Sequence, residues 1–259
     1  MANRIRTFEN IPSLVSQTSP VTLGDDAAWS AAKFNTGSFA QLSTTTMDLG
    51  SACLRSFSYY RYTIRSMYFR FGTGVSGVTG LEDSTDINSV TLRLYVNSIT
   101  NTTGLGTASQ KIRIYAGITG GSDRPSHSVN PTNPDDWNIY CETHAGCGSG
   151  TCNVNEGLVL IKTVNHSDLT TGQYNDISLD SGSGTDFVDW CDRDNFTYMY
   201  AIHETWFGDT STHDACNTSN EAPYSATAAI AVNISSNVTN QRPQLLVSQP
   251  VPDNYQMII

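Results

Sequence analysis

The sequence predicts an all-β protein, an antiparallel β-sandwich of the jelly-roll type with an irregular N-terminal arm and one short helix. Strand-like segments follow one another, separated by turns rich in Gly, Pro and Asn, without the strand–helix alternation of a parallel sheet. The clearest strand is residues 87–98, where every second residue is aliphatic: Val90, Leu92, Leu94 and Val96. A slip of one residue would expose all four to water, so we expect a second layer to cover them.

The chain divides into three parts. Residues 1–20 show no strand or helix periodicity and are interrupted by Pro12 and Pro20, which indicates an irregular arm. Residues 21–250 carry the predicted sandwich. Residues 251–259 form a tail that ends in three apolar residues, Met257, Ile258 and Ile259. Because an apolar end in water is unfavourable, we expect this tail to pack on a neighbouring subunit.

A change of phase marks the aromatic segment near residue 60. Tyr60, Tyr62 and Ile64 share one parity, whereas Met67, Phe69 and Phe71 share the other. This predicts a β-bulge or bend near Arg65 and Ser66. Further strands are expected at 111–118, 157–164, 174–180, 196–204, 225–234 and 243–248. The short helix is expected at 185–192, where Thr185 is a suitable N-cap.

Composition excludes some classes of partner. The 259 residues are 38% hydrophobic and carry a net charge of −10, without clusters of Lys and Arg, which argues against nucleic acid. No stretch approaches the roughly 18 apolar residues of a membrane span. The first twenty residues also lack an apolar run, so we expect no signal peptide.

Four segments together resemble a known family. The segments YRYTIRSMYFRF, INSVTLRLYV, KIRIYAGI and RPQLLVS follow in this order. They resemble the DNRLRE or disaggregatase-related jelly-roll modules, which are similar to carbohydrate-binding modules, over roughly residues 25–248. The resemblance implies a jelly-roll fold in surface proteins, with related sandwiches in phage virion proteins.

With the acidic charge and the expected lack of an export signal, this resemblance favours a non-enzymatic bacteriophage virion protein. We expect a capsid decoration subunit, or a head or tail appendage, assembled in the host cytoplasm and then carried on the virion. The expected partners are other virion proteins such as a major capsid protein, further copies of the chain, and host surface glycans. The alternative is a carbohydrate-binding module of a surface protein or depolymerase.

The cysteines of the long loop at 119–155 admit several interpretations. Cys141, His144, Cys147 and Cys152 could hold tetrahedral zinc, but the paired C-x2-C knuckles of a typical zinc site are missing. A disulfide within this loop is the favoured alternative, and free thiols are the third. Cys191 and Cys216 could also pair, although Cys191 also fits the apolar face of the predicted helix.

No cofactor is expected, and structural calcium is the alternative. Four aspartates, Asp186, Asp189, Asp192 and Asp194, could bind calcium, but Phe196 stands where a calcium loop needs an oxygen ligand. A solvated helix face is the simpler interpretation. Carboxylate pairs such as Asp135 with Asp136, or Glu204 with Asp209, occur in any acidic protein. We therefore predict no catalytic residues and no metal site.

Three aromatic residues are the candidate ligand-binding side chains. Trp137, Tyr140 and Trp206 fall in loops or at strand ends, beside Asn and Asp. An aromatic ring stacks on the face of a sugar while neighbouring polar groups bind its hydroxyls. The other interpretation is that these rings pin long loops onto the sandwich.

Overall fold

The structure, a computed structural model, describes residues 3–9, 15–18, 38–41, 46–55, 60–74, 87–101, 110–116, 159–179, 197–203, 224–233 and 241–250. Within these ranges the chain forms the following strands: β1 (Asn3–Glu9), β2 (Val15–Thr18), β3 (Ser38–Gln41), β4 (Thr46–Arg55), β5 (Tyr60–Phe71), β6 (Ser89–Asn101), β7 (Lys111–Ala116), β8 (Val159–Asn165), β9 (Gln173–Ser178), β10 (Thr197–His203), β11 (Tyr224–Asn233) and β12 (Gln244–Pro250). A single 3₁₀ turn, His166–Asp168, is the helical element of the described residues.

The strands form curled antiparallel sheets, in agreement with the predicted all-β class. Neighbouring strands follow the order β1-β12-β6-β11-β4-β5-β10-β7-β8, with β9 on β6, β2 on β5 and β3 on β2. The predicted helix at 185–192 and the tail at 251–259 lie outside the described residues.

Strand β6 lies at the centre of the core, as its alternation predicts. Val90, Leu92, Leu94 and Val96 are all at most 1% exposed. Ile112 and Ile114 of β7 are buried in the same way. The period of two in these segments therefore identified both the strands and their buried faces.

Strand β5 changes partners at the position where the sequence changes phase. Residues 60–65 pair with β4, whereas Met67 to Phe71 pair with β10. The exchange falls directly after Arg65 and Ser66. Met67, Phe69 and Phe71 are fully buried, and the rings of the two phenylalanines lie 6.3 Å apart. One strand thus joins the β4 side of the molecule to the β10 side.

The N-terminal segment differs from the expected irregular arm. Asn3–Glu9 is strand β1, which pairs along its whole length with β12, and Val15–Thr18 is strand β2. The hydrophobic pattern of β1 is misleading, because Arg6 is buried while Ile5 is 65% exposed. Phe8 is buried in the core. The first residues therefore belong to the sheet.

One hydrophobic cluster holds these strands together. It contains side chains from β1 and from each of β4 to β12. Since strands at both ends of the pairing order contribute to the same cluster, the sheets must curl around it.

Candidate functional site

The candidate site is the side of β6 that faces away from the core. Burying one face of β6 leaves the alternate residues Ser89, Thr91, Arg93 and Tyr95 half-buried on the other. Arg93 is in register with Gln244 of β12 on one side and with Asp176 of β9 on the other. Strand β1 extends the surface beyond β12. We call the outward side chains of β1, β12, β6 and β9 the outer face.

A bidentate ion pair lies at the middle of the outer face. Arg93 Nε donates to Asp176 Oδ1 at 2.6 Å, and Nη2 donates to Oδ2 at 2.8 Å. These hydrogen bonds hold the pKa of Asp176 below its usual value and raise the pKa of Arg93. Both side chains remain partly open to solvent, 32% and 52% exposed. The pair is charge-balanced and accessible to a ligand.

Two tyrosines, one on β6 and one on β9, pack beside this ion pair at the next outward position of the two strands. The rings of Tyr95 and Tyr174 pack edge to face with centroids 5.5 Å apart, and the Arg93 guanidinium carbon lies 5.5 Å from the Tyr174 ring centre. Burial raises the pKa of Tyr174. Its hydroxyl donates to the Arg242 carbonyl at 3.1 Å. These contacts orient Arg93 for cation–π contact as well as for the carboxylate.

A second ion pair lies near the β1 end of the outer face. Arg242 Nη1 lies 3.0 Å from Glu9 Oε2, which ties the segment just before β12 to the end of β1. The two ion pairs together bring two positive and two negative charges. The outer face is therefore polar without a strong excess of either sign.

A shallow hollow of about 310 Å³ lies directly beside the Arg93–Asp176 pair. Its lining combines hydroxyl groups, two aliphatic side chains and the ion pair. The lining residues are Ile5, Ser89, Thr91, Arg93, Asp176, Ser178, Leu246 and Ser248. Such a lining offers hydrogen-bond donors and acceptors beside a small apolar patch.

A second hollow of about 400 Å³ adjoins the first at the edge of β9. It is lined by residues of β8 and β9 and by Asp168 of the 3₁₀ turn. Asp176 and Ser178 line both hollows. Lys162, Thr163 and Gln173 add further polar groups. A ligand could therefore reach from the outer face into this second hollow.

The turn that leads into β9 is built around Gly172. Its φ is +76°, a conformation that favours glycine. The Gly172 amide donates to the Val96 carbonyl at 2.7 Å, and its own carbonyl accepts from the Tyr95 hydroxyl at 2.7 Å. This turn sets the register of β9 on β6 and thereby the position of Asp176.

The residues predicted to bind ligand or to pair as cysteines lie outside the described residues. These are Trp137, Tyr140 and Trp206, and Cys141, Cys147, Cys152, Cys191 and Cys216. They remain predictions, as does the calcium alternative at Asp186–Asp194.

The residues of the outer face were missed as a site. The alternation identified Arg93 and Tyr95 as residues on the solvent-facing side of a strand. Nothing in the sequence alone shows that Asp176 lies opposite Arg93. A signal was present in the polar positions of the segment 173–178. They have the opposite parity to the buried Asn175 and Ile177.

In the described part of the chain, no three His, Cys, Asp or Glu side chains come together as a metal site. The same residues contain no helix long and apolar enough to span a membrane. The chain matches no family profile and no curated protein.

Proposed function

We propose that this chain is a non-enzymatic structural protein of a bacteriophage virion, a capsid decoration or head or tail appendage subunit, whose outer face contacts host surface glycans. The observation that carries the glycan contact is the open, charge-balanced outer face with its two adjoining hollows. The virion assignment rests on the family resemblance and the acidic, strand-rich character of the chain.

The chemistry of the outer face suits a sugar better than a peptide. Peptides commonly bind a sheet by adding a strand to its edge, where backbone groups are free. On the face of β6 the backbone groups already pair with β12 and β9, so recognition falls to side chains. Hydroxyls and a carboxylate–guanidinium pair offer donors and acceptors for sugar hydroxyls, while Leu246 offers an apolar contact.

We further propose that the curled sheets close into a jelly-roll sandwich. The partner exchange of β5 supports this arrangement, because strands that pass from one layer to the other commonly make the corners of packed sheets. The shared hydrophobic cluster is consistent with two layers that face each other.

The virion assignment is tested on purified particles. Quantitative mass spectrometry and immunogold labelling of gradient-purified virions should find the chain at a fixed copy number per particle, on the outer surface. Recovery of the chain only from fractions without particles would contradict the assignment.

The glycan contact is tested on the purified chain with host envelope polysaccharide immobilised on a sensor. Ser178 lines both hollows and its side chain is exposed, so Ser178→Met should fill them without disturbing the core. We expect binding to weaken about tenfold, a loss of roughly 1.4 kcal/mol. Thr100→Met, at an exposed position of β6 that lines neither hollow, is the matched control. Equal binding by both variants and the unchanged chain would exclude the outer face as the site.

A carbohydrate-binding module of a surface protein or depolymerase is the second candidate, and the same hollows support it. It differs in its expected location. Glycan binding by a chain that does not co-purify with particles would favour this second function.

A further inference from the structure

The 3₁₀ turn His166–Asp168 links two strands that pair with different neighbours. It follows β8, which pairs with β7, and precedes β9, which pairs with β6. The His166 amide donates to the Gln110 carbonyl at 2.9 Å, and the Leu169 amide donates to the His166 carbonyl at 3.2 Å. The turn therefore connects the β7 side of the molecule to the β6 side.

The ring of His166 is buried inside this turn. Its side chain is 1% exposed, and neither ring nitrogen forms a hydrogen bond with the described residues. The His203 ring packs against it edge to face, with centroids 4.9 Å apart. A buried imidazole without hydrogen bonds is stable only while it is neutral, because an added proton would have neither water nor an acceptor. Burial accordingly lowers the pKa of His166 to about 4.

The described groups around the ring offer no compensating negative charge. On its own turn, Asp168 is exposed and accepts hydrogen bonds from Asn165. On β7, the first residue is Lys111, which carries a positive charge. It directly follows the buried Gln110, so it has the opposite parity to the buried residues. On β10 the neighbouring group is His203 itself.

Two charged side chains of the flanking strands complete these surroundings. Lys162 of β8 is cationic and lines the second hollow. On β9, Asp176 is held by Arg93 on the outer face. A proton added to the His166 ring would therefore introduce a positive charge that none of these described groups balances.

We propose that the turn His166–Asp168 is an acid-sensitive link, in which protonation of the buried His166 ring releases the turn, together with β8 and β9, from the core. Water can then reach the imidazolium. Because Asp168 of the turn lines the second hollow, release of the turn also reshapes that hollow.

Hydrogen exchange on the full chain tests the location of the opening. If the ring has a pKa near 6.5 when released, protection of the β8 and turn amides should fall about 30-fold from about pH 7.5 to about pH 5, after correction for intrinsic exchange. Protection in the β4–β11 pair should change much less. Unchanged protection at the turn, or an equal loss in every strand, would overturn the proposal.

A histidine variant tests the cause of this pH dependence. His166→Gln cannot be protonated and should remove the dependence between about pH 7.5 and about pH 5. Retention in His166→Gln would overturn the proposal. If that variant fails to fold, NMR titration of the unchanged chain tests the same link between His166 protonation and opening of the turn. A His166 ring that titrates near pH 6.5 while the turn stays protected contradicts the proposal, and one that stays neutral until the turn opens supports it.

Discussion

Arg93 and Asp176 illustrate how much a single pair of side chains can contribute on an open sheet face. Their bidentate geometry is favourable, but both groups are partly hydrated, so solvent screens most of their attraction. The pair therefore matters more for the position of the two side chains than for the stability of the fold.

Breaking this pair gives the first prediction. Asp176→Asn should lower the free energy of unfolding by only about 0.5–1 kcal/mol, because an exposed ion pair is worth little. The measurement is urea denaturation, with a double-mutant cycle through Arg93→Gln to isolate the pair. A coupling of several kcal/mol would show that the pair is far less hydrated than its exposure indicates.

Gly172 gives the second prediction. A Cβ at this position would meet no atom within 4 Å, so the cost of a side chain comes from the positive φ alone. Gly172→Ala should destabilise the protein by about 1–2 kcal/mol, whereas Gly172→Asn should cost less, because Asn tolerates the left-handed region. Thermal unfolding of both variants measures the difference. Equal stability of the Ala variant and the unchanged chain would exclude a strained turn.

At the level of elements, the sequence predicted strands wherever burial follows a period of two. In β6 and β7 each buried side chain is aliphatic and each neighbour is polar, so pattern and structure coincide. In β5 the phase change predicted a bulge or bend, and the strand exchanges partners at that position. The sequence pattern does not predict which distant strands pair with each other. The opposition of Arg93 and Asp176 depends on register between segments 83 residues apart, which local periodicity does not encode.

Strand β1 shows why a strand can escape such a prediction. Its buried residues are Arg6 and Phe8, while Ile5 faces outwards beside the first hollow. Hydrophobic alternation is therefore absent, although backbone pairing with β12 is complete. Tertiary context determined this strand more than local pattern did.

The role of β1 gives the third prediction. Phe8→Ala should lower the free energy of unfolding by about 3–5 kcal/mol, because it leaves a cavity in the core. Ile5→Ala, three residues earlier and 65% exposed, should change stability by less than about 0.5 kcal/mol. Urea denaturation of the two variants provides the comparison. A small effect for Phe8→Ala would mean that β1 is dispensable, as an arm would be.

At the level of the whole molecule, the shared hydrophobic cluster predicts cooperative unfolding. Side chains of β1 and β4 to β12 all contribute to one cluster, so these strands share a single core. We expect a single transition, with coincident midpoints by far-UV and near-UV circular dichroism at neutral pH. Two separated midpoints would show that the β10–β7–β8 strands unfold independently.

The pairing of β1 with β12 has a consequence for biosynthesis. Arg242, which binds Glu9, lies 233 residues after it, so the first strand emerges from the ribosome long before its neighbour exists. At about 5–20 residues per second, that interval is on the order of 10–50 s. During this time Phe8 cannot be buried against β12, so an apolar side chain of β1 stays exposed until that strand has been synthesised.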